Sequence, residues 1–117
     1  MSYQHADLAA GKWKTMSLVE QLGNVGSEVG RVVRWQKKDQ QACEKAFSRA
    51  LELLDLTIQD SRWQGRRKEL TRVREFLCDA MLGGSVYQSD FAGLDRYFYH
   101  FAVAARANRE EPSERKR

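Results

Sequence analysis

The chain has one proline, Pro112, near the end of its 117 residues, so nothing before it forbids long helices. Two cysteines, Cys43 and Cys78, are too few for a disulfide framework and read as reduced packing residues. Two histidines, His5 and His100, leave a serine nucleophile short of a base and a metal ion short of clustered ligands. No apolar run approaches the ~20 residues needed to span a bilayer. The opening MSYQHADLAAGKWK has no apolar stretch of the signal-peptide kind. No strand-like alternation, internal repeat or glycine-rich phosphate loop is evident. These absences lead us to expect a cytoplasmic protein without membrane contact, metal, cofactor or enzymatic activity.

What is present suits one globular domain: 42% hydrophobic and 31% charged residues lie far from the composition of disordered chains. The net charge of +4 is modest, and its distribution is more informative. Residues 39–60 set five acids against Lys45 and Arg49, whereas residues 61–82 set six bases against Glu69, Glu75 and Asp79. An acidic helix beside a basic one can satisfy much of this charge internally.

Apolar residues recur at helical spacing in four segments. Ser17 and Glu20 have capping-box spacing, and Leu18, Leu22, Val25, Val29 and Val32 follow as one stripe. Asp39 is placed to cap a second helix with Cys43, Ala46, Phe47, Ala50, Leu53, Leu54 and Ile58 on its apolar face. Asp60-Ser61 separates it from a third, which carries Leu70, Val73 and Leu77 and stops at Gly83-Gly84. Ser89 or Asp90 caps the fourth, with Phe91, Leu94, Phe98 and Phe101. The spacing predicts helices near 17–37, 40–59, 62–82 and 90–107, with a single bent helix over 17–59 as the alternative to the first two. A turn near residues 60–61 would put Cys43 and Cys78 at one height.

Helices of this length joined by short connections pack as antiparallel neighbours. The expected fold is therefore all-α, an antiparallel up-down four-helix bundle over residues 17–107. An irregular N-terminal arm, 1–16, precedes it, with Trp13 as anchor, and a disordered charged tail, 108–117, follows. Gly23, Gly26 and Gly30 repeat at helical spacing within the first helix. Glycine inside a helix costs about 1 kcal/mol relative to alanine, so either another backbone approaches closely there or the helix is locally weak. Tyr97, Phe98, Tyr99, His100 and Phe101 put rings around the whole fourth helix, which calls for burial on more than one side. Gly23, Gly26, Gly30, Tyr97 and Tyr99 are thus the candidate interface of a homo-oligomer. The tyrosines could equally lie half-exposed with their hydroxyls in water.

The candidate ligand surface is basic. Arg62, Arg66, Arg67, Lys68, Arg72 and Arg74 surround the apolar stripe of the third helix, and arginine forks suit phosphate. The competing reading pairs them with Asp39, Glu44, Glu52 and Asp55 of the second helix. Arg96 and His100 share a face at i and i+4, which is similar to the Arg-and-His motif of HEPN ribonucleases. That family places more residues between the two and a polar one after the arginine, where this chain has Tyr97.

With Leu51-Glu52-Leu53-Leu54-Asp55-Leu56 and Ala104-Ala105-Arg106, residues 17–106 resemble the small four-helix-bundle accessory proteins of diversity-generating retroelements and the 23S intervening-sequence proteins. The retroelement group forms ring-shaped oligomers that bind a reverse transcriptase and RNA through basic surfaces. The resemblance implies a non-enzymatic, homo-oligomeric adaptor with a protein partner such as a reverse transcriptase, RNA as a second partner, and Arg62, Arg66, Arg67, Arg72 and Arg74 as the basic surface. The alternative is a HEPN-like ribonuclease or toxin–antitoxin component using Arg96 and His100.

Overall fold

The computed structural model describes residues 11–110, and among these every regular element is helical. Residues 1–10 of the expected arm and 111–117 of the expected tail lie outside the described residues. Four α-helices follow in order: α1, Leu18–Trp35; α2, Gln40–Gln59; α3, Arg67–Met81; and α4, Phe91–Glu110. No helix is long and apolar enough to cross a membrane among the described residues.

The helix starts are local chemistry. At α1, Ser17 Oγ accepts from the Glu20 N–H at 3.1 Å while Glu20 Oε1 accepts from the Ser17 N–H at 2.9 Å, which completes the capping box. Asp39 caps α2 through the Ala42 N–H, and Asp90 accepts from the Gly93 N–H at 2.7 Å. Between α1 and α2 the backbone turns: the N–H groups of Lys38 and Asp39 both donate to the Trp35 carbonyl. The two are separate helices, not one bent helix.

Two boundaries differ from expectation. The third helix begins at Arg67, five residues later than the expected 62, because Ser61–Arg66 form a 3₁₀ segment. Within it Trp63 leaves helical geometry (φ −106°, ψ 24°) and sends its indole N–H inward to Gln21 Oε1 at 2.9 Å. This longer connection centres the turn near residues 63–64, where Arg67 Nε reaches the Ile58 carbonyl and Arg74 reaches Asp55. Both thiols are free, Cys43 buried in the core and Cys78 half-buried beside Arg74. The fourth helix continues to Glu110, past the expected 107, so residues 108–110 are helical.

α1 is the central element, packed along α2 on one side and α4 on the other, while α3 touches α2 and α4 more lightly. Val25, Val29 and Val32 of α1, Ala46, Ala50 and Leu54 of α2, Leu77 of α3 and Phe98 of α4 are wholly buried. Burial of a Val, Leu or Phe side chain stabilises by about 1.5–3 kcal/mol, and these residues form one continuous core.

A polar knot closes one end of this core. Gln21, fully buried, donates its amide to the Trp13 carbonyl and to Asp60 Oδ2, and accepts from the Trp63 indole. Trp13 in turn donates its indole N–H to Thr57 at 3.2 Å. Every hydrogen-bonding position used by Gln21 is thus matched, which removes the penalty of burying its amide. The knot ties a 3₁₀ turn, Lys12–Thr15, to α1, α2 and the segment before α3.

Candidate functional site

The basic stretch is largely self-neutralised. Arg62 grips Asp60 at 2.7 Å, donates to the Met16 carbonyl and lies 4.5 Å above the Trp63 ring. Arg66 pairs with Glu69 at 2.7 Å, Arg72 with Glu75 at 3.7 Å, and Arg74 with Asp55 at 2.7 Å. Among the described residues Arg67 bonds only a neutral carbonyl, that of Ile58. Lys68 is exposed and has no ion-pair partner among the described residues. Asp55 is the partner that the competing reading placed on α2, whereas Asp39 serves as a helix cap. The remaining pairs are made with acids of the 60–75 segment itself, short-range partners that charge counting between helices overlooks.

Cations without such partners gather elsewhere. Arg34, Lys37 and Lys38 at the α1–α2 turn, and Lys45 in the second turn of α2, are exposed and form no ion pair among the described residues. The polar stretch around Lys37 and Lys38 reads in the sequence as the turn between two helices, without marking its cations as a surface.

The glycine stripe has an occupant within the chain. A β-carbon at Gly23 would sit 3.4 Å from the Ala102 backbone, one at Gly26 would sit 2.6 Å from Phe98 Cβ, and one at Gly30 would sit 3.4 Å from Asp95 Oδ1. The numbering falls along α4 as it rises along α1, so these two helices run in opposite directions. Gly23, Gly26 and Gly30, the candidate interface glycines, form a seam between α1 and α4 within the chain. Gly23 is buried there, whereas Gly26 and Gly30 are partly exposed. Tyr97 and Tyr99 remain uncovered, with 40% and 62% of their surface exposed.

The same seam explains a concavity between α3 and α4. Close approach to α1 draws α4 away from α3, and the gap is a groove of about 370 Å³ lined by Val73, Phe76, Leu94 and Tyr97, with Glu69 and Arg72 on its edge. Its walls are almost wholly apolar. Burial, with Glu69 nearby, pushes the Tyr97 hydroxyl above its ordinary value despite Arg66, so Tyr97 is a neutral phenol at the groove's rim. Beside the groove, and sharing Arg72 with it, lies a shallower basic hollow formed by Arg67, Lys68, Thr71 and Glu75. At the other end Phe76 and Leu94 continue into a hollow bounded by Tyr87 and Gly93.

The 82–89 loop that bounds this end is fixed by Asp79. Its carboxylate accepts from the N–H groups of Val86, Tyr87 and Ser89 at 3.0–3.2 Å. Burial would raise its pKa, yet these N–H donors outweigh it and hold the carboxyl below its ordinary value. The loop exposes Leu82 and Val86.

Arg96 and His100 are both exposed on α4, and the His100 ring packs edge-on with that of Tyr99. Neither lines the groove. Among the described residues no three His, Cys, Asp or Glu side chains gather as metal ligands. The sequence reading missed the groove, although the glycine stripe and Tyr97 both bear on it: glycines that let α4 close on α1 leave α3 with less to pack against. Comparison with family models, curated proteins and solved structures finds no match.

Proposed function

We propose that this chain is a non-enzymatic accessory or adaptor protein, an up-down antiparallel four-helix bundle that associates with copies of itself and holds a protein partner in the cytoplasm. The observation that carries this reading is the outer surface of α4, where Tyr97, Tyr99 and Val103 leave 40%, 62% and 42% of their surface uncovered. Tyr99 and Val103 lie one turn apart on one face, and tyrosines are favoured at contacts because each offers an apolar body with a polar tip. A reverse transcriptase is the partner that the resemblance implies. Sedimentation equilibrium tests self-association: the wild type is expected to run above the 13.5 kDa monomer, and Tyr99→Glu with Val103→Glu to return it to that mass with unchanged helicity. A monomeric wild type at tens of micromolar would remove the assembly from this account.

RNA is a second partner on this reading, and the specific observation favouring it is the set of unpaired cations around the α1–α2 turn. Arg34, Lys37, Lys38 and Lys45 form no ion pair among the described residues that a phosphate would have to displace, unlike Arg62, Arg66, Arg72 and Arg74. The HEPN-like alternative finds less support, since Arg96 and His100 stand exposed and away from the groove.

A further inference from the structure

The groove between α3 and α4 has the shape and the charge to select one kind of occupant. We infer that it receives an amphipathic helix of a protein partner, apolar on the face that enters and carrying carboxylates along the flank that lies over α3. This rests on the adaptor reading above and names the partner chemistry of its docking site.

The floor supplies the apolar half of the match. Val73, Phe76 and Leu94 meet in a concavity of about 370 Å³, space for two or three aliphatic or aromatic side chains projecting at i, i+3 and i+4. Tyr97, 40% exposed, stands at the rim as a neutral ring that can close over such a side chain.

The flank supplies the charge. Arg67, Lys68 and Arg72 line the hollow that joins the groove. The acids nearby are already engaged, Glu69 by Arg66 and Glu75 by the Tyr87 hydroxyl as well as by Arg72. Among the described residues Arg67 bonds only a carbonyl and Lys68 has no acidic partner, and the Arg72 pair is long at 3.7 Å. An approaching carboxylate therefore meets an excess of positive charge at the edge of an apolar slot. A basic helix would meet repulsion there, and a nucleic acid would leave the apolar floor empty.

The test is selection from a displayed library of amphipathic helices, with leucine and phenylalanine at the i, i+3, i+4 and i+7 positions and all flanking positions randomised, on the full chain. Enriched clones are expected to carry two or more Asp or Glu on one flank. Synthetic peptides from those clones are expected to bind at least tenfold more weakly to Arg72→Glu and to Tyr97→Asp, both surface changes that preserve the fold by circular dichroism. Absence of enrichment, enrichment indifferent to flank charge, or equal binding to Arg72→Glu would overturn the inference. Peptide binding that dissociates a homo-oligomer would also overturn it, by showing that a second copy owns the groove. The Tyr99→Glu, Val103→Glu variant separates the two levels: unaltered peptide binding by a monomeric variant upholds the groove independently of the assembly.

Discussion

Gly26 of α1 lies directly against Phe98 of α4: a β-carbon at Gly26 would come within 2.6 Å of Phe98 Cβ. Because Cβ is fixed to the backbone, no rotamer change relieves that approach, and the helices themselves would have to separate. Gly26→Ala is expected to destabilise the chain by about 1–3 kcal/mol, as overpacking does, less the ~1 kcal/mol that alanine gains in a helix. Gly30→Ala should behave in the opposite way. Its β-carbon would meet only Asp95 Oδ1, at 3.4 Å, the end of a movable side chain, so the helix-propensity gain is kept. Urea midpoints for the two variants decide this, and equal effects would mean that the seam is looser than its distances indicate.

The seam also shows what the sequence can and cannot convey. Helix type and caps follow from residues within one turn of each other, and so Ser17 with Glu20, Asp39, Asp90 and the apolar stripes are legible without coordinates. The start of α3 is different, because Trp63 departs from the helix to reach Gln21, 42 positions away. No local pattern encodes that bond. The groove is less legible still, since a concavity is set by which pair of helices closes most tightly. The three glycines announced a close approach but not whose backbone would make it.

Gln21 should be among the least replaceable polar residues. Gln21→Leu leaves the Trp63 indole N–H without its partner and removes one of the two donors to Asp60 Oδ2, at a cost of about 1–3 kcal/mol for the unsatisfied indole. The Trp13 fluorescence environment should report the loss, because the Trp13 carbonyl loses one of its two donors as well. A variant as stable as wild type would mean that water replaces the amide without penalty.

Asp60 gives the knot a pH dependence. Hydrogen bonding from Arg62 holds its carboxyl well below the usual carboxylate range; burial opposes this, and Gln21 adds to it. A carboxyl more acidic in the folded state than in the unfolded one stabilises the fold above the unfolded value of about 3.9. That contribution drains away as the pH falls below this value toward the folded one. Asp60→Asn is thus expected to be less stable than wild type at pH 7, with the gap narrowing below about pH 4. A gap constant from pH 7 to pH 3 would assign the effect to shape and not to charge.

Asp79 is expected to hold the 82–89 loop by its three backbone contacts. Asp79→Ala should accelerate amide exchange at Val86, Tyr87 and Ser89 while leaving the α1 amides protected, since an opening confined to the loop does not unfold the core. Uniform acceleration across α1 would instead make Asp79 a contributor to global stability.

The two basic surfaces make opposite predictions for RNA, and one titration separates them. Arg66 and Arg72 already face Glu69 and Glu75, and Arg67 is bound to a carbonyl. A phosphate arriving at Arg66 must displace a carboxylate held at 2.7 Å, which cancels most of the Coulombic gain, and at Arg72 it competes with a looser pair at 3.7 Å without the apolar contact that the adjoining groove offers a peptide. Arg34, Lys37 and Lys38 form no ion pair among the described residues, and cations at the C-terminal end of α1 face its negative dipole end without being neutralised by it. Each phosphate they neutralise releases counterions, so affinity should fall with salt at a slope of about −0.7 per contact on a single strand. Replacing Arg34, Lys37 and Lys38 with glutamine is expected to weaken binding to a single-stranded RNA and to flatten that slope by about two. Replacing Arg66, Arg67 and Arg72 should leave the slope nearly intact, with a stability change of about 0–1 kcal/mol per exposed pair. Filter binding at two salt concentrations gives both quantities. The reverse ranking would return the RNA surface to α3, where its cations would then compete with the acidic helix for the same ground.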